Sequence, residues 1–276
     1  MSAAQRWKAM IEREHAQSDR MRGETPPPHD HWRAHAQHFR ADPRRVDDPL
    51  VNRLLLELGR HQTLIDVGAG GGRLALPLAL RCRRVTAVEP SASMVAVLRQ
   101  QAAGHSIHNV SVVEAAWEDA QVDAADVVLC CHVLYTVQEI EPFVRKLETH
   151  ARDRVLTVLL KAPPQSQLNS LWRQVHGEDR LPLPSLPEYQ EVLSELRIDA
   201  KVEILPPQPP WGFDTYEEAL EQLSRRLYLA PGSQKRWVLE KILPGLLEDR
   251  NGTLALQGAN SLEPGLVWWR PKAAQA

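Results

Sequence analysis

The sequence predicts an α/β protein built on a doubly wound, mainly parallel sheet. Short apolar runs recur between residues 64 and 160, each bounded by turn residues. Spacers of helical character separate them, which implies parallel strands joined by right-handed crossovers. The first run ends in an acid and is followed by glycines at 68, 70 and 72 and then a helix. Glycines there let the backbone take positive φ and approach a ligand closely, and the helix start offers unpaired N–H groups. Such a strand–turn–helix unit suits a nucleotide-like ligand.

Residues 1–60 read as an N-terminal helical region. Residues 3–22 have helical composition, and Thr25-Pro26-Pro27-Pro28 breaks it. Further helices are expected over 31–40 and 49–58. His31, His35 and His38 fall at i, i+4 and i+7 on one helical face, a spacing open to a metal but commoner on a solvated face; no metal is expected. Trp32 and Phe39 share another stripe, open to packing on the core or to covering a bound cation.

Residues 61–162 form the predicted core. Strands are expected at 64–67, 84–89, 109–114, 126–131 and 154–160, with a helix over 74–80 and another capped by Ser91 ahead of Met94, Val95 and Leu98. Residues 163–276 complete the sheet: helices over 165–176 and 188–197, a strand over 201–205, a stiff proline linker over 206–210, helices over 215–229 and 233–248, and a last strand over 265–270. The interval before that strand exceeds a hairpin turn, so residues 207–252 are expected to form an inserted helical cap.

The acid narrows the ligand. A dinucleotide places its pyrophosphate at this turn, where Asp66 repels it, and Arg73 stands where the dinucleotide pattern has its third small residue. A shifted frame, Gly70-x-Gly72-x-x-Ala75, meets the looser pattern, so the glycines alone do not decide. Asp66 suits a ligand bearing positive charge, such as the sulfonium and ammonium of S-adenosylmethionine. Glu89, ending the second strand, can accept from vicinal ribose hydroxyls, a role common to both ligand types.

With Asp66-x-Gly68-x-Gly70-x-Gly72, Glu89 and the run Asp126-Val-Val-Leu-Cys-Cys-His-Val-Leu-Tyr135 in order, residues 62–160 resemble the core of class I S-adenosylmethionine-dependent methyltransferases of the small-molecule type. The resemblance implies a doubly wound seven-stranded sheet with an antiparallel last strand, and N-terminal helices that close over the cofactor. It implies that Gly68, Ala69, Gly70 and Gly72 cradle the methionine end with Asp66. It also implies that Glu89 with Pro90 and Met94 holds the ribose, and that Cys130 and Cys131 line the pocket. Ala116 stands at the usual adenine-binding acid, so Trp117 and Glu118 are the expected substitutes. Ligands bind beyond the carboxyl ends of the strands, so the cap, with Trp172, His176, Tyr189, Trp211, Phe213, Tyr216 and Tyr228, is expected to select the acceptor.

His132, just past the fourth strand, is the candidate general base, with Tyr135 orienting the acceptor; a structural histidine bonding the loop is the alternative. The formal net charge of −2 gives no preference for nucleic acid, and Cys-His-Val-Leu replaces the Asn/Asp-Pro-Pro-Tyr run of base-methylating enzymes. RNA or protein methylation, an NAD-type oxidoreductase and a non-catalytic adenosylmethionine binder stay as alternatives. Three cysteines, at 82, 130 and 131, cannot build a disulfide framework. With no run of 18 apolar residues and no apolar leader, a cytoplasmic protein without membrane contact is expected.

Overall fold

A computed structural model describes the chain except residues 24–29, 31–32, 34–35, 251, 260 and 273–276 and the side chain of residue 38. Its main sheet has seven strands: β1 (Thr63–Val67), β2 (Arg84–Val88), β3 (Val110–Val113), β4 (Ala125–Cys131), β5 (Ala151–Leu160), β6 (Lys201–Ile204) and β10 (Pro264–Trp269). Their order is β3-β2-β1-β4-β5-β10-β6. Residues 63–67 pair in parallel with 84–88 on one side, and 64–67 with 127–130 on the other. The last strand runs antiparallel between β5 and β6, as the resemblance implies.

Strand alternation sorts side chains onto two faces. Ile65, Val67, Val128, Cys130 and Val155 point into a core closed by α1 (Ala3–Arg22), α5 (Ile140–His150) and α7 (Leu186–Glu195). Leu64, Val85, Val127, Leu129 and Leu156 point to the other, closed by α2 (Pro49–Leu55), α3 (Ala75–Ala79) and α4 (Ala92–Gly104). Cys130 and Cys131 therefore face opposite layers.

Helix starts follow from local chemistry. Ser2 and Gln5 form a capping box on α1, and Asp48 accepts from the Leu50 and Val51 N–H groups ahead of Pro49. Ser91 accepts from the Met94 N–H at the head of α4, as expected. The helix α7 starts at Leu186, not 188, because Ser185 and Glu188 form a second capping box with Pro187 inside the first turn. The helix α2 closes at Leu55, not 58, through tightened bonds from the Leu56 and Glu57 N–H groups. Of the helix expected over 31–40, a 3₁₀ turn, Ala36–Phe39, falls among the described residues; His31, His35 and Trp32, and the side chain of His38, lie outside them.

Outside the main sheet, α6 (Asn169–His176), α8 (Tyr216–Arg226) and α9 (Gln234–Ile242) gather with β7 (Gly212–Phe213), β8 (Leu247–Arg250) and β9 (Thr253–Leu256) around their own apolar cluster. This cap module is broader than the expected 207–252, because Leu171, Trp172 and Val175 of α6 belong to it. Nor is it wholly helical. The helix expected over 233–248 ends at Ile242 ahead of Pro244, and residues 247–250 pair antiparallel with 253–256. The three strands order as β7-β9-β8. Among the described residues no helix is long and apolar enough to cross a membrane.

Candidate functional site

The glycine turn leaves β1 at the centre of the sheet, where its neighbours are β2 and β4. Gly68, Gly70 and Gly72 all take positive φ, at 70°, 53° and 88°. A Cβ on Gly68 would sit 2.3 Å from Val133 Cγ2, so this glycine also lets the turn after β4 close against the loop. The N–H groups of Gly68 and Ala69 donate to the Val88 carbonyl at 2.8 and 3.1 Å. The Glu89 carboxylate straps the loop: Oε2 accepts from the Gly70 N–H at 2.8 Å and Oε1 from the Ser91 N–H at 2.9 Å. Each oxygen keeps a lone pair for a further donor.

Asp66 is buried at the end of β1, and among the described residues its Oδ2 has no hydrogen-bond partner. Burial, and then the negative charge of Glu89, raise its carboxyl to about 8 against the pull of a backbone hydrogen bond from Ala75. Glu89 is also raised, first by burial, with Asp30 adding to the push. Asp30 was not expected at this site: it accepts from Ser91 Oγ at 2.8 Å and from the Ser93 N–H at 3.2 Å. Nothing in its local pattern marks it, since only the fold carries it to the head of α4. Three acidic side chains in succession, one with an orphaned oxygen, disfavour a phosphate and suit a cationic, hydroxyl-bearing ligand. Met94 is buried under the 36–39 turn, whereas Pro90 is exposed.

Ala116, Trp117 and Glu118 follow β3. The Trp117 ring is 3 % exposed and committed to packing, edge-on to His150 with centroids 5.2 Å apart and with Lys146 Nζ 5.0 Å from its centroid. Its indole N–H is buried without a partner among the described residues. Lys146 Nζ also donates to the Glu118 carbonyl at 2.9 Å. Burial pushes the Cys130 and Cys131 thiols up, which removes thiolate character from both.

His132 has φ 58°, in the left-handed region. Its N–H donates to the Val158 carbonyl at 2.9 Å, and its ring lies nearly parallel to that of Tyr135, at 13°. Nδ1 is 3.1 Å from Tyr135 Oη, which accepts from the Leu160 N–H at 2.8 Å. Burial, and then the positive charge of Arg73, lower His132 to about 4. Arg73 itself pairs with Asp48 at 2.7 Å, tying the loop to the start of α2.

The aromatic residues expected to line the cap divide. Tyr189 is fully buried against Trp7, and Phe213 lies within the cap core. Tyr216 Oη donates to the Glu240 carbonyl at 3.2 Å. His176 is engaged at both nitrogens, with Nε2 2.9 Å from the Leu227 carbonyl and Nδ1 3.0 Å from Lys235 Nζ. Among the described residues no group of three or more His, Cys, Asp or Glu is set to hold a metal ion.

Residues 65–157 match a family model described as a methyltransferase domain. The chain is 25 % identical over 114 residues to a ubiquinone biosynthesis O-methyltransferase of Rickettsia akari, covering 40 % of this chain and 45 % of the relative. It is 30 % identical to a probable ribosomal RNA small subunit methyltransferase A of Methanosphaera stadtmanae, over 25 % and 26 % of the two chains. The chain thus spans less than half the length of these curated relatives. Among solved structures it resembles an S-adenosylhomocysteine complex of a methyltransferase from Geobacter sulfurreducens, with TM-score 0.56 and 16 % identity over 89 % of this chain and 98 % of that one.

Proposed function

Residues 65–157 belong to the methyltransferase-domain family, and from that premise we propose that the protein is an S-adenosylmethionine-dependent methyltransferase acting on an O or N atom of a small molecule. The observation that carries the reading is the buried Asp66, whose Oδ2 has no partner among the described residues, beside a glycine loop strapped by Glu89. When bound, S-adenosylmethionine supplies a methyl on a sulfonium, transferable by in-line displacement. In this reading Asp66 receives the ligand's ammonium, and the spare lone pairs of Glu89 receive ribose hydroxyls. Gly68, Ala69, Gly70 and Gly72 bring main chain against the methionine end, and Met94, Pro90, Cys130 and Cys131 border it. The backbone of Ala116–Glu118 borders the adenine, the Trp117 ring being held in the core.

Positioning and exclusion of water supply most of the catalysis in this reading. In this reading His132 takes a part other than that of a base. Tyr135 Oη already accepts from Leu160, and among the described residues its own proton has one acceptor within reach, His132 Nδ1. With Tyr135 donating across that contact, as this reading has it, the ring proton of the neutral imidazole lies on Nε2. His132 then offers the acceptor molecule a hydrogen-bond donor rather than a base, and Tyr135 is its positioning residue.

The name of the Rickettsia akari relative, a ubiquinone biosynthesis O-methyltransferase, agrees with this reading. The ribosomal RNA methyltransferase match keeps RNA as the second reading, although the net charge of −2 gives little attraction to a polyanion. Titration calorimetry tests the ligand: S-adenosylhomocysteine should bind and NAD should not, and the opposite result overturns the reading. Tritium from methyl-labelled S-adenosylmethionine should pass to a metabolite extract; label recovered only in RNA would favour the second reading.

A further inference from the structure

The cap module holds several buried hydrogen-bond donors that nothing among the described residues satisfies. Arg180, at the end of the loop after α6, has a side chain only 6 % exposed. Its Nη2 is 3.1 Å from Glu14 of α1, but among the described residues its Nε and Nη1 have no acceptor. The guanidinium lies 4.6 Å from the centroid of the Trp172 ring, whose own indole N–H is fully buried and equally unpartnered. Gln165 Nε2, on the turn leading into α6, is a fourth such donor. Donors left without acceptors in one region call for a ligand that brings acceptors.

A second guanidinium lies nearby, on Arg226, an exposed residue. Arg226, at the end of α8, stacks on Trp211 with its guanidinium 3.9 Å from the ring centroid, and no carboxylate lies within ion-pair distance among the described residues. The ends of α6 and α8 are in contact: His176 bonds the Leu227 carbonyl, and Trp172 meets Tyr228 edge-on at 6.2 Å. The Arg226 guanidinium is held below its ordinary value by burial and by the positive charges of Arg225 and Arg180. The nearby acids are already used. Glu14 serves Arg180, Glu178 pairs with Arg20, and Asp179 is 3.4 Å from Arg173. Glu14 thus serves Arg180 alone, and among the described residues Arg180 Nε and Nη1 and the Arg226 guanidinium have no carboxylate partner.

We propose that Arg180 and Arg226, with the Trp172 indole N–H, form a carboxylate-binding site in the cap module that grips an acidic group on the methyl acceptor. Each guanidinium is a planar fork matched to a carboxylate, and stacking on tryptophan fixes the plane of each fork. The site deepens the small-molecule reading and rests on it: the acceptor is an organic acid, held by its carboxylate while its methylated atom lies elsewhere.

Calorimetric titration of the whole protein with benzoate, against neutral benzamide of the same shape, tests the site. Benzoate should bind, weaken with added salt, and exceed benzamide by about tenfold or more. Arg226→Gln leaves no buried charge unpaired, and Arg180→Lys keeps a cation beside Glu14 while removing the fork. Each should cut benzoate affinity about tenfold and leave S-adenosylhomocysteine affinity unchanged. Equal binding of benzoate and benzamide, no benzoate binding, or benzoate binding indifferent to both substitutions would overturn the proposal. Loss of S-adenosylhomocysteine binding in the unaltered protein would instead sink the methyl-transfer reading, since the benzoate titration requires no cofactor.

Discussion

At Asp66 a carboxyl sits in the core with one oxygen unpartnered among the described residues and a second carboxylate near it. With a value near 8 in the folded chain and 3.8 as its ordinary reference, it binds more protons folded than unfolded between those limits. Stability of the ligand-free protein should therefore fall as pH rises from about 4 to about 8, by several kcal/mol at most. Asp66→Asn should flatten that slope in urea titrations taken at several pH values. Binding a cation to ionised Asp66 expels its proton. At pH 7 the heat of S-adenosylhomocysteine binding should then vary with the ionisation enthalpy of the buffer, and Asp66→Asn should weaken binding roughly tenfold to a hundredfold.

His132 supports a prediction of the opposite kind. With its value lowered to about 4, it stays neutral through the physiological range, so kcat should show no limb near pH 6.5. Nitrogen-15 spectra should find the proton on Nε2, and Tyr135→Phe should abolish that preference. A proton on Nδ1 in the unaltered protein would restore the base role.

Among the elements, the turn after β1 is shaped by two separate demands. Gly70 needs only its positive φ, for a Cβ there meets nothing within 4 Å, whereas a Cβ on Gly68 would also collide with Val133. Gly68→Ala should cost roughly 2–4 kcal/mol and Gly70→Ala about 1 kcal/mol in urea unfolding. Adding Val133→Ala should recover part of the Gly68→Ala loss and none of the Gly70→Ala loss. The motif was legible as a pattern, but the clash was not, because Val133 lies on another strand's exit. The β8–β9 hairpin is a different lesson. Asn251-Gly252 between short apolar runs is a hairpin signal, and Pro244 is a helix stop. Helical periodicity from Ser233 onward outweighed them in the reading of 233–248.

For the whole molecule, the N-terminal helix is a structural layer. Trp7 and Ile11 are fully buried in the core beneath α5 and α7, and the Trp7 indole N–H donates to the Val137 carbonyl at 2.7 Å. Trp7→Ala should destabilise the protein by about 3–5 kcal/mol, measured by urea unfolding. A loosely closing lid would give almost no change. Farther along, Glu14 carries the same helix to Arg180, so α1 joins the sheet's core to the cap module.

The sequence by itself determined the strand–helix alternation, the glycine turn and the acids at the ends of β1 and β2, because these rest on local periodicity, turn chemistry and short spacing. Tertiary structure alone decided the rest. It carried Asp30 to the head of α4, set Tyr135 between Leu160 and His132, and buried Arg180 beside Glu14 and Trp172 with two of its nitrogens unmet among the described residues. Such facts depend on distance in space and on which partners burial leaves unmet. A linear pattern names the donors and acceptors of a chain, and only packing decides which of them find each other.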